Sequence, residues 1–210
     1  MAEPTTELLE VRCGYFALGR SVHLGLEGAR LSRPLVLIVD APFGFAMDEM
    51  NRVERKNAVI VSDSPCPEYW DEVWRMQPHA LLVRGTLLPE IQKALEQASR
   101  GQSFRRTPKA QSQLSVKECS VLRLCAQGKK NPEIARTLHL SERSVANMVS
   151  KCLRVLSLES RSELPLYFFG CWSYLEAYRT KVDRYNSSLD TFPAESDSVT
   201  KMSDKSPENE

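Results

Sequence analysis

Arg143, Ser144, Asn147, Ser150, Lys151 and Arg154 recur at short, mostly three- and four-residue intervals in "SERSVANMVSKCLRVL". On a helix those intervals gather side chains on one face. The face offers cations that neutralise phosphates, hydroxyls that hydrogen-bond them, and an amide shaped to pair with adenine. Ala146, in their midst, offers only a methyl. Catalytic chemistry has less support, for the chain has no glycine-rich phosphate loop, no paired catalytic carboxylates and no Ser/His/Asp set with supporting context. His23, His79 and His139 stand apart from one another and from the six scattered cysteines, so neither a metal nor a cofactor is expected. An enzyme is the least favoured reading.

The elements that position the polar face are legible nearby. "NPEIARTLHLSERSVANMVSKC" reads as a short helix, a tight turn and a longer helix. Asn131 is expected to cap the first of these, with Pro132 in its opening turn, where a missing N–H costs nothing. Ile134, Ala135 and Leu138 face inward. Ser141 caps the longer helix, whose buried stripe is Val145, Val149, Cys152, Leu153 and Leu156. Upstream, Ser115 and Glu118 form a Ser-x-x-Glu capping box ahead of an apolar helix that stops at Gly128. Downstream, Ser160 and Glu163 offer a second box before "LPLYFFGCWSYLEAY", in which Pro165 delays or bends the helix. That last helix is apolar almost all round, so it is buried on several sides.

The front half has another rhythm. "LVLIVDAP", "NAVIVSDSP" and "HALLVRGT" are short apolar runs ending in polar loops, and helical patterns lie between and after them. Strands alternating with helices predict a parallel α/β sheet. From Arg100 to Gln113 the text is polar and basic without apolar periodicity, which reads as a linker. Charge is segregated: residues 1–98 net −4, 99–113 net +4, 114–164 net +4 and 183–210 net −4 within a whole of +1. A basic middle between acidic ends suits a polyanion-binding module attached to something else. The tail is Ser-, Asp-, Glu- and Pro-rich and is expected to be disordered. No run approaches a membrane span, no signal peptide is evident, and cysteines among apolar positions suit reduced thiols in the cytoplasm.

The text "LSVKECSVLRLCAQGKKNPEIARTLHLSERSVANMVSKCLRVLSLESRSEL" resembles the LuxR-type helix-turn-helix, the DNA-binding half of many bacterial response regulators of the FixJ/NarL kind. The resemblance rests on Leu114, Glu118, Val121, Leu122, Gly128, Asn131, Glu133 to Ala135, Leu138 and Ser141. It continues through Ser144, Val145, Val149, Leu153, Leu156 and "SRSEL" at 160–164. It implies that the longer helix enters the major groove. Arg143, Ser144, Ala146, Asn147, Ser150, Lys151 and Arg154 would then meet DNA, with Lys129, Lys130 and Asn131 beside them. In the family, Ala146 and Asn147 match base-reading positions. A lysine is usual at the former, and a further cation is common where Val155 stands. The thinned face predicts weaker or more AT-leaning recognition. The resemblance also implies that the last helix mediates dimerisation, through Phe168, Cys171, Trp172 and Leu175, with packing on the chain's own front half as the alternative.

The front half resembles a response-regulator receiver, shortened and atypical. Asp40 falls at the phosphoacceptor position, Ser62 at the switch hydroxyl, and Arg84 replaces the usual lysine. The acidic pair that holds Mg²⁺ in that family falls near Cys13 and Gly14, neither of which suits a hard cation. Phosphorylation of Asp40 is therefore not expected; the acid serves equally as a cap for the loop that follows it. The second strand and helix of a receiver have no room, which leaves a 1-3-4-5 sheet in receiver numbering. A right-handed crossover would then carry the first helix to the opposite face. One face would be thinly covered, calling for a rearranged first helix or a partner subunit.

These readings converge on an α/β parallel-sheet receiver-like domain over residues 1–99 and a basic linker over 100–113. An all-α helix-turn-helix domain follows over 114–164, then an aromatic helix over 165–181 and an acidic tail over 182–210. The expected function is a LuxR-type regulator, independent of phosphorylation, binding double-stranded DNA as a homodimer in the cytoplasm, with a second regulator or the transcription machinery as further partners. A non-enzymatic adaptor that pairs with another regulator is the alternative, and an Asp40-phosphorylated two-component regulator is the second.

Overall fold

A computed structural model of the chain describes residues 8–83, 87–109 and 112–172. Arg84, Leu175 and the acidic tail lie outside the described residues. Among the described residues the α-helices and strands follow one another as β1 (Leu9–Cys13), α1 (Phe16–Gly25), β2 (Leu35–Val39), α2 (Phe45–Glu49), β3 (Ala58–Ser62), α3 (Pro67–Arg75), β4 (Ala80–Val83), α4 (Leu88–Ser99), β5 (Phe104–Arg106), α5 (Val116–Ala126), α6 (Asn131–Leu138), α7 (Glu142–Val155) and α8 (Glu163–Phe168). The sheet is parallel throughout and its strands lie side by side in sequence order.

Near-continuous apolar strands are what a sheet covered on both faces requires. Alternation then sorts the side chains. Leu35, Leu37, Val59, Val61, Ala80 and Leu82 enter one core with Ile91, Ala94, Leu95 and Ala98 of α4. Ile38, Ala58, Ile60, Leu81 and Val83 enter the other, with α2 and α3.

Two expectations are corrected here. α1 has not crossed to the opposite face: Val22 and the following Leu26, Ala29 and Leu31 pack in the same core as α4, so this helix and its return loop supply the missing cover. Successive strands step the same way across the sheet, so helices on opposite faces require crossovers of opposite hand. The connections through α1 and α4 therefore have the opposite hand to those through α2 and α3. Nor is the segment 100–113 only a linker. Phe104–Arg106 pairs with Ala80–Leu82 as an edge strand. The segment was illegible as a strand because it is three residues long and two of them are arginines. Both arginines are anchored, Arg105 on Asp71 at 2.6 Å, Arg106 over the Phe104 ring and on Gln97.

The helical half follows its caps. Ser115 Oγ accepts from Glu118 N while the Glu118 carboxylate accepts from Ser115 N at 2.8 Å, closing the expected capping box. Ser141 Oγ accepts from Ser144 N at the start of α7. At α6 the cap is Lys130, whose N–H donates to Glu133 at 2.9 Å; Asn131 is the first helical residue instead. The aromatic helix is interrupted: α8 ends at Phe168 and the chain turns at Gly170, at φ +70°, while residues 173–181 of the expected helix lie outside the described residues. Pro165 sits in the first turn of α8, so it does not delay the start of the helix. Glu163 accepts from Glu159 N at 2.9 Å, and Ser162 stands at the N-cap of α8.

Both halves share one core. Cys119, Val121, Leu122, Leu164 and Phe168 are contiguous with Ile60, Tyr69, Trp70 and Val73.

Candidate nucleic-acid interface

Val145, Val149 and Cys152 of α7 are buried against α5 and α6. The opposite side of the helix is consequently outward: Arg143, Ala146, Asn147, Ser150, Lys151 and Arg154 are exposed and Ser144 half-buried. Lys129 and Lys130 are exposed at the turn ahead of α6. The polar face anticipated from spacing thus exists as one surface with its side chains brought together.

Three of the expected contacts are partly engaged within the chain, by partners that sequence reading missed. Lys151 Nζ lies 2.6 Å from the buried Glu118 carboxylate. Burial pushes that carboxyl up, but the Lys151 ammonium and the Ser115 donors outweigh it and hold it below the usual carboxylate range. Asn131 Oδ1 accepts from Arg161 Nη1 at 2.9 Å, and Lys129 O accepts from Arg161 Nη2 at 2.6 Å. Arg161 therefore braces the start of α6 from the far end of the domain. The Lys129 ammonium sits 3.5 Å from Glu133. Glu118 was legible only as a cap, and nothing in the spacing tied Arg161 to Asn131, thirty residues upstream. Arg143 and Arg154 have no ion pair among the described residues.

The dimer expectation at Phe168 is corrected. Its ring is fully buried against Tyr69 of α3, centroids 5.3 Å apart and edge-on, so it is a contact between the two halves of one chain. Trp172 stacks on Tyr167 at 5.4 Å and donates Nε1–H to Tyr167 O. Cys171 is half-buried at the turn after α8. Polar ties join the halves as well. Ser112 and Tyr167 hydroxyls donate to the buried Glu68 at 2.7 and 3.0 Å, and Arg123 Nε donates to the buried Glu72 at 2.7 Å.

Asp40 and Ser62 do meet, with Ser62 Oγ donating to Asp40 Oδ2 at 2.6 Å. Asp40 Oδ1 accepts from Ala46 N at 2.9 Å, Gly44 N at 3.1 Å and the Tyr69 hydroxyl at 2.9 Å. The carboxyl is 2% exposed. Burial pushes its pKa up, against the pull of Ser62, the backbone donors and Tyr69. Cys13 and Gly14 lie beside it, both bonded to Ala41 O. Among the described residues no group of three or more His, Cys, Asp or Glu side chains converges as a metal site would require.

Residues 112–168 match the family model described as bacterial regulatory proteins, luxR family. The matched segment runs from just before α5 to the end of α8 and follows the five-stranded parallel sheet in the chain. Among solved structures, the RcsB–DNA complex of a two-component response regulator aligns over 76% of this chain and 96% of its own, at 17% identity and a TM-score of 0.43. RcsB from Salmonella enterica serovar Typhimurium, bound to a promoter with a phosphomimetic, aligns over the same shares at 16% identity and 0.43. Full-length FixJ from B. japonicum aligns over 80% of this chain and 99% of its own, at 17% identity and 0.36. No curated protein matches the chain.

Proposed function

We propose that the protein is a DNA-binding transcription regulator of the luxR type, acting as a homodimer on a two-fold operator in the cytoplasm without phosphorylation. One observation carries this reading: the luxR-family segment turns Arg143, Asn147, Ser150 and Arg154 of α7 to solvent while the apolar stripe of the same helix is buried. In this geometry α7 lies in the major groove. Arg143 and Arg154 take phosphates, Asn147 pairs with adenine, Ser150 meets either partner of a base pair, and Ala146 rests on a thymine methyl. Lys151 contributes less than its charge suggests, because Glu118 already offsets it. Independence from phosphorylation is supported by an Asp40 carboxyl that is buried and accepts four hydrogen bonds, with no acid at Cys13 or Gly14 to hold Mg²⁺.

Fluorescence anisotropy with duplex DNA over a salt series tests the reading. Affinity falls as salt rises, and Arg154→Ala reduces the log–log slope by about 0.9. Absence of binding to any duplex at low ionic strength, with or without a co-regulator, would replace the regulator by the adaptor. Incubation with Mg²⁺ and acetyl phosphate leaves the intact mass unchanged; a gained phosphoryl group on Asp40 contradicts phosphorylation independence. Sedimentation of the full chain reads the dimer directly.

A further inference from the structure

A strand-end acid that merely caps its loop needs the two backbone donors, Gly44 N and Ala46 N, and Asp40 has both. It also holds two side chains from elsewhere, Ser62 at the end of β3 and Tyr69 on α3. The Tyr69 hydroxyl is doubly committed: it donates to Asp40 Oδ1 and accepts from Gly44 N at 3.0 Å. Ser62 Oγ likewise donates to Asp40 and accepts from Ser64 N at 3.2 Å. Asp40, Ser62, Ser64 and Tyr69 are all buried, so each member of the network fixes the others.

The same residues form the surface on which the helix-turn-helix domain rests. The Tyr69 ring meets Phe168 at 5.3 Å and Phe169 at 6.5 Å, both edge-on. Gly44, at φ +100°, leaves room for the Phe169 ring; a methyl there would sit 2.9 Å from it. A methyl on Gly170 would sit 2.5 Å from Pro65, in the loop that leaves Ser62. Thus the loop after Asp40, the loop after Ser62 and α3, three segments joined by one carboxyl, are the three that clasp residues 168–170.

We infer that Asp40 is a permanent latch between the two domains: its carboxyl fixes Tyr69 and the Gly44 loop as the platform to which the end of α8 is docked. The position that resembles a phosphoacceptor is thereby spent on holding the chain in one docked arrangement, and docking needs no phosphoryl group. The inference does not rest on the proposed DNA function, since docking is measured within the chain itself.

Hydrogen–deuterium exchange of the full-length protein at neutral pH tests it, with Tyr69→Phe and Asp40→Asn as the variants. Tyr69→Phe keeps the ring and removes the hydroxyl that two groups share. Asp40→Asn keeps Oδ1 for its three donors and turns an N–H toward Ser62 Oγ, which accepts. The expected result for Tyr69→Phe is exchange about tenfold faster in peptides covering 163–170, the size of one or two lost buried hydrogen bonds, with α6, α7 and α4 unchanged. Asp40→Asn is expected to exchange as the parent does, and acetyl phosphate with Mg²⁺ to change neither protein. Unaltered exchange of 163–170 in Tyr69→Phe overturns the latch. A rise spread evenly over the chain also overturns it, since Tyr69 would then serve general stability. Undocking in Asp40→Asn equal to that in Tyr69→Phe shows that the negative charge is required and overturns a latch built on hydrogen-bond geometry.

Discussion

Two buried acids in this chain have opposite electrostatic signatures. Glu118 is held below the usual carboxylate range because Lys151 and the Ser115 donors outweigh its burial, so its contribution to stability is intact at neutral pH and is lost only as pH falls through that lowered value. Asp40 is raised because burial outweighs its donors. A raised acid contributes stability that is fully present below its unfolded pKa and is lost as pH rises through the folded value. Asp40→Asn removes this dependence while keeping the acceptor geometry. Denaturant unfolding of parent and variant across acid to neutral pH is therefore expected to show the variant gaining on the parent as pH rises. A difference between them that stays constant with pH contradicts the raised pKa.

At the scale of elements, α5 and α7 both start at serine caps whose oxygens accept from the N3 backbone, and in α5 the exchange is reciprocal. Ser115→Ala removes one half of that box and frees Glu118 N at the head of the helix that joins the two halves. Loss of such a cap costs about 0.5–2 kcal/mol, read as a shift in denaturant midpoint at constant slope. Glu118 makes this cap matter to the interface as well, because the carboxylate that accepts from Ser115 N also holds Lys151. The pair's own worth stays below about 1 kcal/mol, since Lys151 is half exposed and solvent screens it.

For the whole molecule, the decisive fact is a core that does not stop at the domain boundary. Phe168 and Leu164 of the helical half and Tyr69, Trp70 and Ile60 of the sheet half are buried in one cluster. Phe168→Ala leaves a cavity in that shared core, a change that costs about 3–5 kcal/mol. Calorimetry is expected to show the parent unfolding in a single transition and Phe168→Ala in two, as the halves lose their cooperativity. One transition in the variant would mean that the polar ties of Glu68 and Glu72 suffice to couple the halves.

Local rules made much of this chain readable. Apolar runs ending at Asp40 and Ser62 are strands, Ser115 and Ser141 are caps, and the intervals from Arg143 to Arg154 define an outward face of α7, because propensity, capping and periodicity act over a few residues. The five-residue β1 and three-residue β5 were less legible, being short and partly polar at the sheet's edges. Tertiary structure alone decided what each apolar or charged side meets. Periodicity states that α8 has a side to bury and is silent on whether a second chain or Tyr69 covers it. The face chosen by α1 depends on how its return loop packs at Leu26, Ala29 and Leu31. Lys151 finds Glu118 across 33 positions and Asn131 finds Arg161 across 30. Such pairings depend on the path of the whole chain, which no short window of residues contains.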